Sequence, residues 1–331
     1  MGTQKRKADH IRICLTKDVE FLKGNGFERY SFMHSALPEI DWDEIDTGTK
    51  FLGKKFRYPL FIEAMTGGTN EAERINKNLA AAAEELGIGM GVGSQRAMIE
   101  DPRLVRTYKV RDVAPGIFLA GNIGASHVLK YPPEVISKAL EEIGADALAI
   151  HLNPAQEIVQ DGGHTKWNGM LPAIRALSSG VHVPVIVKEV GSGISAQVAE
   201  KFSRCGISAI DTAGAGGTSW VKVDAMVGGK PFDEFFEWGI PTAESLVQCR
   251  KAVKLPLIAS GGIRSGIDAA KAISLGASLA GMALPLLKPA TVSSAAVKTF
   301  LEQVVLELQA AMFLTSSRNL QELKGKALLR F

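Results

Sequence analysis

The chain has 331 residues, with 46% hydrophobic and 22% charged side chains, enough for one large α/β barrel or two ordinary domains. Thirty-eight basic residues against thirty-five acidic ones leave a net charge of only +3, which argues against a nucleic-acid or anionic-membrane partner held by bulk charge. Cys14, Cys205 and Cys249 are odd in number and widely spaced, so neither a disulfide framework nor a structural zinc site is expected, and a reducing cytoplasm fits. No secretory signal and no run of eighteen or more apolar residues is seen, so no bilayer span is expected. Glycine is the unusual component: 34 residues, about a tenth of the chain, against a typical ~7%.

Residues 1–57 read as an N-terminal extension with a basic start, Lys5-Arg-Lys7, and an acidic segment, Asp41-Trp-Asp-Glu44. In a short helix Arg6, Lys7 and His10 would fall on one side, although a disordered basic terminus is the default reading. From residue 58 onward, short apolar runs alternate with amphipathic stretches. The runs are Leu60–Ala64, Ile88–Val92, Ile117–Gly121, Ala147–Ile150, Val183–Val187, Ile207–Ile210, Leu255–Ala259 and Ser278–Met282. They lack apolar/polar alternation, as strands buried on both faces do. Eight such strands alternating with helices over about 250 residues predict a TIM (β/α)8 barrel over 58–331, in preference to a doubly wound sheet. An Ala-rich helix is expected over Glu71–Leu86, and a closing helix after Pro289 through Phe300, Leu301, Val304, Val305, Leu308, Ala311 and Met312. The segment Gly214–Gly239, with Trp220, Phe232, Phe235, Phe236 and Trp238, is too long for an ordinary barrel loop and reads as a lid, a binding loop or an interface.

TIM-barrel active sites lie where the strands end. Those turns hold Thr66, Ser94, Gln95, Asn122, His151, Asn153, Lys188, Asp211, Gly214, Gly261 and Gly262. Ser260-Gly-Gly-Ile-Arg264-Ser265-Gly-Ile-Asp268 is the sharpest signal. Its glycines let backbone approach a phosphate, Arg264 adds charge, and Ser265 with Asp268 opens a helix whose N-terminal amides attract an anion. Lys188, at the end of an apolar strand, is either a Schiff-base nucleophile or a cation holding negative charge on a bound ring. Glu157 is a candidate hard-oxygen ligand for Mg²⁺, with diphosphate oxygens and waters completing the shell. His151 has no second His at ligand spacing and reads as a hydrogen-bonded barrel histidine. Arg96 adds a cation at the barrel mouth which, with the basic N-terminus, suits a diphosphate.

Taken together, Arg6-Lys-Ala-Asp-His10-Ile, Met65-Thr-Gly-Gly68, Gly93-Ser-Gln-Arg96, Asn122-Ile-Gly-Ala125, His151-Leu-Asn153 with Gln156-Glu157, Lys188-Glu-Val-Gly191, Gly214-Ala-Gly-Gly-Thr218 and Ser260-Gly-Gly-Ile-Arg264 resemble, in order, the motifs of the type 2 isopentenyl-diphosphate isomerases. The resemblance implies a TIM barrel that interconverts isopentenyl and dimethylallyl diphosphate with reduced FMN and Mg²⁺, with NADPH as reductant and no net redox change. It implies that Ala64, Met65, Thr66, Ser94, Asn122, Lys188 and Thr218 hold the flavin ring and ribityl chain, and that Gly261, Gly262, Ile263, Arg264, Ala283 and Leu284 hold its phosphate. Arg6, Lys7, His10, Ser94, Gln95, Arg96, His151, Asn153 and Gln156 would face the substrate, and Glu157 would ligate Mg²⁺. Gln156 would sit near the migrating proton, Lys188 would favour the anionic reduced ring, and the flavin N5 would be the main acid and base. A basic terminus that orders when diphosphate binds, a cytoplasmic location and a homotetramer or octamer are also implied. Two departures stand out: Ala213 where the family has Ser, and Asp161-Gly-Gly-His164 where it has Pro-Glu-Gly-Asp.

Two other readings remain. A flavin oxidoreductase of the 2-hydroxy-acid oxidase type would need a His just before Gly-Gly at the end of strand seven, where this chain has Ser260. A phosphate-binding barrel without catalysis would not need polar groups at nearly every strand end.

Overall fold

The eight apolar runs can satisfy their backbone only against one another, and they do so as a closed, all-parallel barrel. In the computed structural model, which describes residues 3–331, the strands are β1 (Leu60–Ile62), β2 (Gly89–Gly91), β3 (Leu119–Gly124), β4 (Ala147–His151), β5 (Val185–Lys188), β6 (Ala209–Asp211), β7 (Leu257–Ser260) and β8 (Leu279–Met282). β8 pairs with β1 through Ala280 and Leu60, which closes the ring. Every strand residue is buried except His151, which is partly open at the strand end.

Most of the observed strands start a residue or two later than the apolar runs do, and two of them, at Val185 and Leu257, start just after a proline. Pro184 and Pro256 have no N–H for the ladder and serve only as carbonyl acceptors, to Leu148 and Ile210. β3 extends further than expected. Asn122 lies inside the strand, and all of Ala120–Gly124 pairs with Ala147–His151. Helix Asn70–Leu86 begins at Thr69, whose hydroxyl accepts the Ala72 amide, and ends at a left-handed Gly87. The connection after β2 carries only a short helix, Arg96–Glu100, and a 3₁₀ turn, Pro102–Thr107, in place of a full barrel helix. The closing helix is Ser294–Phe313, with Val297, Leu301, Val304, Val305, Leu308 and Met312 buried. No helix among the described residues is long and apolar enough to cross a membrane.

The extension wraps both ends of the barrel. Its first helix, Thr3–Thr16, lies across the mouth. Strand Tyr30–Phe32 pairs antiparallel with Leu328–Arg330 at the far end of the chain. The hairpin Thr49–Phe51 and Lys54–Phe56 brings Phe51 and Phe56 against Phe118, at 5.7 and 5.8 Å between ring centroids, and Phe118 in turn meets Phe61. These rings share one buried cluster with small residues of the barrel interior, Ala120, Ala147, Ala149 and Ala209, and so plug the end opposite the mouth. Segment 214–239 is folded: helix Trp220–Met226 is capped by Ser219, and Phe232, Phe235 and Trp238 pack on each other at its outer edge.

Phe118→Ala should remove about 3–5 kcal/mol of stability by opening this aromatic plug, measured as a lower urea midpoint at unchanged slope; a loss below about 1 kcal/mol would mean the rings do not seal the barrel.

Candidate active site

The strand ends converge on a cavity of about 250 Å³ whose wall carries nearly all the residues singled out in the sequence. Ala64, Met65, Thr66, Ser94, Asn122, Lys188, Thr218, Gly261, Gly262, Arg264, Ala283 and Leu284 line it, as do Arg6, Lys7, His10, Arg96, His151, Asn153, Gln156 and Glu157. Gln95 and Ile263 do not. The Gln95 carboxamide turns into the wall, where Nε2 donates to the Ala139 carbonyl (2.7 Å) and Oε1 accepts the Asn122 amide (3.0 Å). It is a strut that fixes the β3 strand end, which corrects its expected place among substrate-facing groups. The Ile263 side chain is fully buried in the core, so only its backbone is free for a ligand.

At the inner end of the cavity stands Lys188. Strand register sets it beside His151 on β4 and Asp211 on β6. Its ammonium donates to the Glu189 carbonyl (2.8 Å) and lies 3.5 Å from Asp211 Oδ2 and 3.6 Å from Glu63 Oε2. Burial works against the charged form, but Asp211, Glu63 and Glu189 outweigh it and raise the pKa. Lys188 is therefore a fixed cation and not a neutral amine, which disfavours the Schiff-base alternative. The Glu189 carboxylate accepts the amides of Val190 (2.6 Å) and Gly191 (2.7 Å), yet burial still pushes it up to about 7. His151 donates from Nδ1 to Asn122 Oδ1 (2.7 Å), and burial, with Lys188 nearby, brings it down to about 3. It is a neutral imidazole with Nε2 as acceptor.

The N-terminal helix supplies the outer wall. Lys7 donates to the Tyr108 hydroxyl (2.7 Å) and the Ser94 carbonyl (3.0 Å), and burial, then Arg96 and Arg6, lowers it to about 7. His10 Nε2 lies 2.9 Å from Asp224 Oδ1, while Gln156 Nε2 donates to Asp224 Oδ2 (2.6 Å) and Gln156 Oε1 accepts from Asn153 (3.1 Å). Asp224 thus ties the helix to the loop after β4. Nothing in the sequence singled it out. Its one signal is a lone carboxylate in helix Trp220–Met226. Glu63, a charge at the end of a strand otherwise buried on both faces, and Tyr108 were missed too.

Glu157 is buried, its oxygens accepting from Asn153 Nδ2 (3.1 Å) and the His164 amide (2.6 Å). Gly163 makes this contact possible: a Cβ there would stand 1.9 Å from the Glu157 carbonyl, so only glycine brings the His164 amide in, and the Asp161–His164 departure leaves that glycine in place. Outside Glu157 the cavity opens into a vestibule lined by Arg6, Arg96, His127, Lys130 and His164. No cluster of three or more His, Cys, Asp or Glu able to hold a metal exists among the described residues, so any metal bound by Glu157 would need ligand oxygens and water.

On the other side, the loops after β6 and β7 cross backbone to backbone. Gly261 and Gly262 have φ of 99° and 75°, and Cβ atoms there would come within 2.1 and 2.2 Å of the Gly214 and Gly216 carbonyls. The amides of Gly262 and Ile263 donate to no group among the described residues. Helix Gly266–Ser274 follows, capped by Ser265 as expected, and the Arg264 guanidinium pairs with Glu20 of the extension. Free amides, a helix start and an arginine form an anion cradle that fits a cofactor phosphate, and the Lys188 ammonium fits an electron-rich ring. Ala213 lines the cavity in a left-handed conformation, φ 36°, its amide held by Asp211 Oδ1 (3.3 Å).

The FMN-dependent dehydrogenase family matches residues 153–330. The isopentenyl-diphosphate delta-isomerase of Pyrococcus furiosus is 49% identical over 97% of this chain and 85% of its own length, and that of Nostoc sp. is 46% identical over 99% and 96%. Among solved structures, the lactate oxidase of Pediococcus acidilactici superposes with a TM-score of 0.72 at 16% identity, covering 95% of this chain and 88% of that one. A chimera of (S)-mandelate dehydrogenase superposes at 0.71 and 19%, covering 99% and 97%. At such identities these oxidases and dehydrogenases share the fold alone.

Gln95→Leu should strand the Asn122 amide, lowering stability by about 1–3 kcal/mol, since the Ala139 carbonyl stays inside its own helix. Denaturant unfolding would show it, and full stability would restore Gln95 to the list of ligand-facing groups.

Proposed function

The chain belongs to the isopentenyl-diphosphate delta-isomerases, and from that premise we propose how its barrel mouth interconverts isopentenyl and dimethylallyl diphosphate. The observation that carries the reading is the layering of one cavity: a buried Lys188 cation inside, neutral His151 and Asn122 beside it, and Arg6, Lys7, Arg96 and Glu157 outward. That order suits a ring, an uncharged isoprenoid chain and a diphosphate in succession.

FMN is the cofactor, in keeping with the FMN-dependent family match. Its ring and ribityl chain would be held by Ala64 to Thr66, Ser94, Asn122, Lys188 and Thr218, and its phosphate by the amides of Gly262 and Ile263 with Gly261, Arg264, Ala283 and Leu284. When bound and reduced, FMN supplies a site that can give and take a proton, with no net redox change. NADPH is the proposed reductant. The protein supplies charge and position. Lys188, held by the Glu189 carbonyl, keeps positive charge where a reduced ring is negative. Gln156 is fixed from both ends by Asp224 and Asn153, so its amide serves to position the isoprenoid carbons rather than to move freely. Arg6, Lys7, Arg96 and His10 hold the diphosphate, whose firm grip also prevents its loss as a leaving group. Glu157 is the proposed Mg²⁺ ligand, since each of its oxygens accepts one hydrogen bond and keeps a lone pair. A homo-oligomer and a cytoplasmic setting complete the proposal.

The test is anaerobic incubation of the yellow protein with isopentenyl diphosphate, Mg²⁺ and a reductant. Isomerisation without stoichiometric flavin oxidation is expected, and a stoichiometric redox product would overturn the reading. Lys188→Ala should cost on the order of 10²-fold in kcat, and wild-type turnover would remove its role. Glu157→Gln should raise the Mg²⁺ requirement; an unchanged metal dependence excludes it as ligand.

Lys7 sets a pH dependence. Below about pH 7 its ammonium is already charged, whereas above that value a bound diphosphate must draw a proton onto it. Calorimetry with inorganic diphosphate at about pH 8, in buffers of different ionisation enthalpy, should register proton uptake that Lys7→Gln abolishes. Equal uptake in the variant would place the titrating group elsewhere.

A further inference from the structure

Glu63 is outside the chemistry just assigned, yet it follows β1 directly, is 5% exposed and lines the cavity. Neither of its carboxylate oxygens has a hydrogen-bond partner among the described residues, and neither does Asp211 Oδ2. Both acids face Lys188 at 3.6 and 3.5 Å, beyond good N–H···O distance. The other Asp211 oxygen is committed to the Ser260 hydroxyl (2.6 Å) and the Ala213 amide (3.3 Å). Two ionised carboxylates against one ammonium would leave an excess buried charge and three unsatisfied acceptor oxygens, a costly state. One proton on the pair removes the excess charge and provides a donor for one of the three oxygens. The barrel is shaped for this acid. On β8, a Cβ at Gly281 would come within 2.2 Å of Glu63 Oε1, so glycine leaves the space that the carboxyl fills.

We propose that Glu63 and Asp211 share one proton, and that Glu63 is a positioning residue that holds the acids around Lys188 at a single negative charge, so that the ammonium keeps its field for an anionic ring. Proton sharing stands on the cluster alone; the positioning role rests on the placement of Lys188 at the flavin. Burial pushes Glu63 well above the ordinary carboxyl range, Asp211 adds to the rise and Lys188 opposes it. The other titratable neighbours do not supply the proton: the Glu189 carboxylate is turned into the amides of its own loop, and His151 is neutral.

Infrared spectroscopy on the protein as purified, with ¹³C-labelled carboxyls to separate protein bands from flavin bands, reads the shared proton directly. At about pH 9, where Glu189, brought to about 7, is ionised and no longer contributes, the wild type should show a protonated-carboxyl stretch that shifts in D₂O and disappears reversibly at still more alkaline pH. Glu63→Gln should lose it and Glu63→Asp should restore it. Absence of the band from the wild type, or its survival in Glu63→Gln, overturns the proposal. The pH profile of kcat tests the positioning role: Glu63→Gln has no proton to lose there and should shift the alkaline limb, whereas a uniform loss at every pH would make the residue merely structural. A protein that shows the band and does not isomerise would sink the functional reading and leave proton sharing intact.

Discussion

A lysine ammonium cannot be buried at the end of a barrel strand without acids to hold it, and this constraint organises the inner half of the site. Parallel register alone places Asp211 beside Lys188, and closure of the ring through β8 and β1 brings Glu63 to the same point. What surrounds the cluster follows from it. Ser260 satisfies the far oxygen of Asp211, Gly281 yields room to Glu63, and Glu189 gives its carbonyl to the ammonium while its carboxylate is consumed by loop amides. A cation held in this way stays charged and stays in place, as required of a group that acts by its field rather than by bond formation.

The second population of charge sits apart from the first. Arg6, Lys7 and Arg96 gather around the outer cavity, where burial and then their mutual repulsion lower the pKa of both Arg6 and Lys7. His151 and His127 are both brought down, to about 3 and about 4, first by burial and then by neighbouring cations, so neither adds positive charge at neutral pH. A polyanion would neutralise this strain as it bound. The small net charge of the whole chain and the strong local field at its mouth are therefore compatible: cations are few, but several are collected at one place.

The fold was legible because buried parallel strands leave a plain mark, eight apolar runs without alternation, and because Gly-rich turns and capping pairs punctuate them. Strand starts moved where Pro184 and Pro256 removed a donor, which apolar content alone does not reveal. The site was legible where chemistry resides in a strand-end motif, as with Lys188, Asn122 and Gly261-Gly262. It was not legible where partners come from distant segments. Asp224 lies 214 residues from His10 and 68 from Gln156, and no local pattern announces such a bridge. Gln95 was misjudged for the opposite reason. It stands between two cavity residues, Ser94 and Arg96, but the bend of the chain turns its side chain inward, where the Asn122 amide needed a partner.

The extension is the part of the chain that local reading undervalues most, because its role is visible only in contacts. Lys7 reaches Ser94 and Tyr108, His10 reaches Asp224, Glu20 pairs with Arg264, Lys23 donates to the carbonyl of Gly239 (2.9 Å), and Asn25 donates to that of Gly262 (2.7 Å). These contacts touch the loops after β2, β6 and β7, so one segment of about two dozen residues spans the cation-rich side and the anion cradle alike. The pairing of Tyr30–Phe32 with Leu328–Arg330 then anchors that segment to the end of the chain. A barrel without it would keep Lys188 and its acids but lose one wall of the cavity, the Glu20 partner of Arg264 and the bridge that orients Gln156. The extension is thus better understood as one wall of the cavity than as a cover laid over a finished one.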